Sequence, residues 1–127
     1  MVIAKLRSSS RLFPALVVLL AGLFSQQVLA HAHLKAATPA ADATVSAAPG
    51  ELELQFSEGI EPNFSGINIT RADNAAVKTG KLKLGESKTQ VSVPIDEQLT
   101  AGKYHVSWHV VSVDGHKTKG QYSFTVK

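Results

Sequence analysis

Apolar and polar residues alternate with a period of two along most of the chain after residue 50, and this constrains the fold more than any other feature. In residues 104–110 (YHVSWHV), the tyrosine, the tryptophan and both valines share one parity, and polar residues take the other. The same pattern recurs in residues 51–56, 66–70, 91–93 and 122–126. Such alternation is typical of β-strands that bury one face.

Turn-forming residues separate these runs, among them Ala48-Pro49-Gly50, Glu61-Pro62-Asn63, Ala101-Gly102 and Asp114-Gly115. Several short strands with turn signals at short intervals indicate an all-β sandwich or barrel. No stretch after residue 30 keeps a helical apolar period over three turns. The sequence therefore predicts a single all-β domain.

The first 30 residues have a different composition and predict a cleaved secretory signal. Three basic residues and no acidic one precede an apolar run at residues 12–24, and small residues follow. That run is shorter than the about 20 residues of a spanning helix, so we expect no membrane insertion after cleavage. A cut after Ala30 would release His31, and a cut after Ala32 would release His33. We prefer the first, which gives a signal peptide at 1–30 and a domain at 31–127.

Removing this leader changes what the charge implies. The leader holds three of the 13 basic residues and none of the 10 acidic ones, so the mature chain has ten of each. Net neutrality, with no basic patch, gives no reason to expect a nucleic-acid partner. The chain has no cysteine, and its one methionine is Met1, so the mature protein cannot form a sulfur-ligated metal site.

A histidine at the new N-terminus offers a metal ion two nitrogens, the α-amine and the imidazole. The amine has a pKa of about 7.7–8.0, so a metal can displace its proton near neutral pH. The alternative is a frayed, solvated terminus. His33 adds a further alternative, because a free amine with a histidine in the third position is itself a local Cu(II) chelator that needs no fold.

Asp114-Gly115-His116 lies between two predicted strands. Read as a turn, Asp-Gly is a hairpin signal and His116 is an exposed turn residue. Read as extended chain, the i, i+2 spacing projects Asp114 and His116 to one side. Together with the nitrogens of His31 they would form an N₃O set, which fits Cu(II) better than Zn(II).

Two further histidines, His105 and His109, are predicted to be non-ligands, with at most an indirect role beside the metal. They are four residues apart in one strand, or about 13 Å along it, so a single ion cannot join them. Motifs of hydrolases, zinc proteases and phosphate loops are absent from the sequence, and we expect no enzymatic activity.

The mature chain resembles the CopC family of periplasmic copper-binding proteins along essentially its whole length. The most specific segments are residues 31–34 (HAHL), 38–42 (TPAAD), 48–49 (AP), 54–58 (LQFSE), 102–104 (GKY) and 108–116 (WHVVSVDGH). The resemblance implies an Ig-like Greek-key β-sandwich of about seven strands. It also implies one Cu(II) per chain, bound by the amine and imidazole of His31, by Asp114 and by His116.

By the same resemblance, the protein would sequester or carry copper in the periplasm for copper homeostasis or resistance. It would act as a monomer and deliver copper to an inner-membrane transporter of the CopD type. Some family members hold Cu(I) in a methionine-rich loop, but the mature chain here has no methionine. His33 matches a family position near the metal without an assigned role.

Three other functions fit parts of this pattern. An N-terminal histidine joined by a second histidine also holds copper in polysaccharide-oxidising enzymes on a similar sandwich. Such sites need an open position for oxygen, which Asp114 would occupy here. The other two are a terminal His31-x-His33 chelate on a structural sandwich, and an adhesive domain whose histidines are incidental.

Overall fold

The computed structural model describes residues 32–127, so the predicted signal peptide and His31 lie outside the described residues. About half of the described residues lie in β-strands, and the described part contains almost no helix. Its strands are β1 (Leu34–Thr38), β2 (Thr44–Val45), β3 (Glu51–Phe56), β4 (Gly66–Arg71), β5 (Lys83–Leu84), β6 (Gln90–Pro94), β7 (Gly102–Val111) and β8 (Lys117–Val126). A 3-10 turn, Pro62–Phe64, lies between β3 and β4. Within this part of the chain, no helix has the length and apolar character needed to cross a membrane.

The strands form two four-stranded sheets. One has the order β1-β3-β6-β5 and the other has the order β2-β8-β7-β4. Neighbouring strands are antiparallel except β2 and β8, which pair in parallel. The chain crosses repeatedly between the sheets, after each of the first four strands and again after β6, as in Greek-key sandwiches. The predicted all-β sandwich is confirmed, with eight strands in the described residues, two of which have only two residues.

The core lies between the sheets and contains the apolar side chains of one parity from each long strand. It includes Leu52, Leu54, Phe56, Val91 and Val93 from one sheet, and Ile67, Ile69, Tyr104, Val106, Trp108, Val110, Phe124 and Val126 from the other. Tyr104 stacks on Phe124 with ring centroids 5.5 Å apart. Phe56 meets Trp108 edge-on at 5.1 Å. Alternation therefore produces the buried face that it predicts.

Gly120 on β8 lies opposite Trp108 on β7, and the indole ring occupies the space where a side chain would be. A Cβ on Gly120 would lie 2.4 Å from the Trp108 Cζ2 atom and 2.7 Å from Cε2. Only glycine at position 120 leaves room for the Trp108 indole to pack against the β8 backbone.

We expect Gly120→Ala to lower the free energy of unfolding by about 1–3 kcal/mol, because overpacking forces the indole or the backbone to shift. Urea unfolding followed by the fluorescence of Trp108, the sole tryptophan of the chain, measures this change. Gly50→Ala is the matched control, since a Cβ there has no atom within 4 Å. Equal unfolding free energies for the two variants would show that the packing argument is wrong.

Candidate metal centre

The chain reverses between β7 and β8 through residues 112–116. The Ser112 amide donates to the His116 carbonyl at 2.9 Å, and the Gly115 amide donates to the Ser112 carbonyl at 2.9 Å. Gly115 has a φ of 88°, which favours glycine. The segment is therefore a tight turn and not the extended chain that would project both side chains to one side. Asp-Gly acts here as the hairpin signal it commonly is.

The turn nevertheless brings the Asp114 and His116 side chains together. The His116 Nδ1 atom lies 2.9 Å from the Asp114 Oδ2 atom. Both side chains are about half exposed, at 43% for Asp114 and 51% for His116. The pair thus places a carboxylate and an imidazole in contact with each other at the turn between β7 and β8.

Ser112 supports this pair from beneath. Its hydroxyl donates to the Asp114 Oδ1 atom and also lies 3.3 Å from the His116 carbonyl oxygen. Hydrogen bonds from the Ser112 hydroxyl and then from His116 lower the pKa of Asp114 to about 2, against a smaller opposing effect of desolvation. The carboxylate is therefore ionised at neutral pH, as a metal ligand must be.

Asp114 and His116 are two donors, and a closed metal site needs more. Within residues 32–127, no three side chains of His, Asp or Glu come together to hold a metal ion. The third predicted ligand residue, His31, lies outside the described residues. The predicted ligand set therefore stays a prediction, and the structure shows only that the turn brings the Asp114 and His116 side chains together.

The first described residues are bound to the same end of the sandwich. The His33 amide donates to the Ser57 hydroxyl at 2.9 Å, and the Ser57 amide donates to the His33 carbonyl at 3.0 Å. Ala32 packs into the core with 2% of its surface exposed, whereas the His33 side chain is exposed.

Residues 57–60 connect this N-terminal arm to the turn at residues 112–116. Ser57 is bonded to His33, the Gly59 carbonyl accepts from the Val113 amide at 2.9 Å, and Ile60 bridges to Ser112. His33, the second of the described residues, is therefore linked through residues 57–60 to the turn that carries Asp114 and His116.

His105 and His109 lie on the outer face of the β4-β7-β8 sheet, and both are exposed. The ring of His109 covers Gly66, where a Cβ would lie 2.5 Å from Cε1. Their parity places both side chains on the face of β7 opposite the core.

Fold and site together define a small β-sandwich protein with a carboxylate–imidazole pair presented on a hairpin at one end. The CopC domain model matches residues 34–127, and the chain belongs to the CopC family. Protein YobA of Escherichia coli strain K12 is 51% identical over 114 residues, which cover 89% of this chain and 92% of that protein. Copper resistance protein C of Escherichia coli is 38% identical over 107 residues, which cover 78% and 83% of the two chains.

Solved structures agree with this assignment. The crystal structure of PcoC, described as a methionine-rich copper resistance protein from Escherichia coli, superposes with a TM-score of 0.70 at 37% identity. The match covers 77% of this chain and 100% of that one. The β-sandwich expected from the sequence is therefore that of the CopC family.

Proposed function

We propose that the exported protein binds one Cu(II) ion through the His31 amine and imidazole, the Asp114 carboxylate and the His116 imidazole. The observation that carries this proposal is the contact of 2.9 Å between His116 Nδ1 and Asp114 Oδ2 at an exposed turn. Membership of a family whose relatives are named copper resistance proteins supports copper as the metal.

The spacing of the pair suits a square-planar ion. Bonds of about 2.0 Å at right angles place adjacent ligand atoms about 2.8 Å apart, close to the contact between Oδ2 and Nδ1. A metal would replace the proton that bridges the two side chains, and the imidazole would turn so that Nδ1 points at the ion and no longer at Oδ2. Nitrogen and oxygen donors in a tetragonal arrangement favour Cu(II).

The exposed site and the absence of sulfur define the kind of copper protein proposed. The chain has no cysteine, and its one methionine is Met1, so a thioether site for Cu(I) is not part of the proposal. Four protein donors leave no equatorial position for oxygen, which favours binding and release over redox catalysis. We propose a monomeric periplasmic carrier or buffer that delivers Cu(II) to an inner-membrane transporter of the CopD type.

Burial of Ala32 and the bonds of His33 favour cleavage after Ala30. A cut after Ala32 would remove an alanine that is 2% exposed in the core. It would also turn the His33 amide, which donates to Ser57, into a charged amine. A cut after Ala30 keeps both interactions and frees the amine of His31.

Intact-mass analysis of the exported protein tests this arrangement. We expect a chain of residues 31–127 that gains the mass of one copper ion after loading with Cu(II) and removal of the excess. The same protein loaded after blocking of its amines is the control. A chain that begins at His33, or one that retains no copper against a competing chelator, would contradict the proposal.

A further inference from the structure

Ser112 is the one buried polar residue in the described part of the chain, with 1% of its surface exposed. It continues the inward parity of Val106, Trp108 and Val110, so its side chain takes a core position just after the end of β7. A hydroxyl in such a position is unfavourable unless it forms hydrogen bonds. Its partners are the Asp114 carboxylate and the His116 carbonyl, which are parts of the two predicted ligand residues.

We propose that Ser112 is a positioning residue that holds Oδ1 of Asp114 and leaves Oδ2 alone to bind the metal. This inference rests on the proposed function. Oδ1 accepts the Ser112 hydroxyl and, at 3.3 Å, the His116 amide. Oδ2 faces the His116 Nδ1 atom at 2.9 Å. The two carboxylate oxygens therefore have different partners, Oδ1 within the turn and Oδ2 at the imidazole of His116.

The backbone fixes the Ser112 hydroxyl in place. Ser112 bridges to Ile60, its amide donates to the His116 carbonyl, and its carbonyl accepts from the Gly115 amide. Because the hydroxyl belongs to a buried residue whose amide and carbonyl are both hydrogen-bonded, it restricts the rotamer of Asp114 before any metal arrives. Ligands held in the productive geometry lose less freedom on binding.

A carboxylate with one oxygen occupied binds a metal through the other. Single-oxygen coordination suits a four-ligand tetragonal Cu(II) site. Calcium, by contrast, takes 6–8 oxygen ligands and often uses both oxygens of one carboxylate. Ser112 would thus determine the number of oxygens that Asp114 supplies, and with it the preference for the smaller ion.

The test compares the exported protein with its Ser112→Ala variant. We expect Ser112→Ala to bind Cu(II) about 10–100-fold more weakly at pH 7, the usual loss when the hydrogen-bond partner of a ligand is removed. Affinity is measured by chelator competition, and the Cu(II) electron paramagnetic resonance spectrum should change with it. Ser107→Ala, which replaces an exposed serine on β7, is the matched control and should keep both properties.

A structural role alone would give a different result. If Ser112→Ala unfolds more easily but keeps the parent's affinity and resonance spectrum, the inference is wrong. Ser112→Thr keeps the hydroxyl and should restore the spectrum of the parent. If the parent protein binds no Cu(II), the proposed function itself is wrong. If the parent binds Cu(II) and Ser112→Ala has the same affinity and resonance spectrum, only the inference about Ser112 is wrong.

If Ser112→Ala does not fold, a measurement on the parent protein tests whether Ser112 holds Oδ1 of Asp114. In a crystal structure of the Cu(II)-loaded protein, Asp114 should bind through Oδ2 only, with Oδ1 still accepting the Ser112 hydroxyl. Coordination through both oxygens, or through Oδ1, would overturn the inference.

Discussion

Replacing His116 with alanine should weaken Cu(II) binding at pH 7 by more than about a hundredfold, since even the loss of a ligand's hydrogen-bond partner costs about 10–100-fold. The variant removes the imidazole that lies 2.9 Å from Asp114 Oδ2, so the Asp114 carboxylate loses the ligand beside it. Competition with a chelator of known affinity measures the change. Ser112 and the turn bonds to the His116 backbone do not depend on the imidazole, so the fold should survive.

His109→Ala is the matched control for this experiment. It removes an exposed histidine from the same hairpin, on the outer face of the sheet, and should leave Cu(II) affinity unchanged. An equal loss in both variants would indicate nonspecific binding by surface imidazoles. Unchanged affinity in His116→Ala would favour the chelate formed by the terminal amine and His33, which needs no folded domain.

Alternation in the sequence predicts most of the fold because the long strands bury one face each. β3, β4, β6, β7 and β8 all coincide with alternating runs. The pattern does not predict strands β1, β2 and β5. β1 consists largely of small residues with little polar contrast, and β2 and β5 have two residues each. Such strands are set by pairing with a neighbour, which a local pattern does not contain.

The sequence predicts the residues of the candidate site but not their geometry. An extended chain would point Asp114 and His116 the same way, whereas a tight turn is what joins them. Ser112 is not among the residues predicted from the sequence, although a signal for it is present. A serine that continues the inward parity of Trp108 and Val110 is a polar residue at a core position. Such a residue requires a partner, and the nearest are in the turn.

Extending the N-terminus by one glycine before His31 should have an effect as large as the loss of His116. The extension turns the amine of His31 into an amide and so removes one nitrogen and the chelate ring that it closes. We expect Cu(II) affinity to fall by more than about a hundredfold at pH 7, on the same scale as above. The domain itself should unfold at the same urea concentration, because Ala32 and His33 keep their contacts.

His33→Ala separates the domain-built site from a terminal chelate. That variant destroys the amine–His33 chelate but keeps the His31 amine, Asp114 and His116. Affinity should remain near that of the parent, since His33 is bound to Ser57 through its backbone and not its imidazole. A large loss in His33→Ala, together with an unaffected His116→Ala, would assign copper to the first three residues alone. The opposite result would mean that export, by freeing the amine, completes a site whose other half is already arranged in the folded domain.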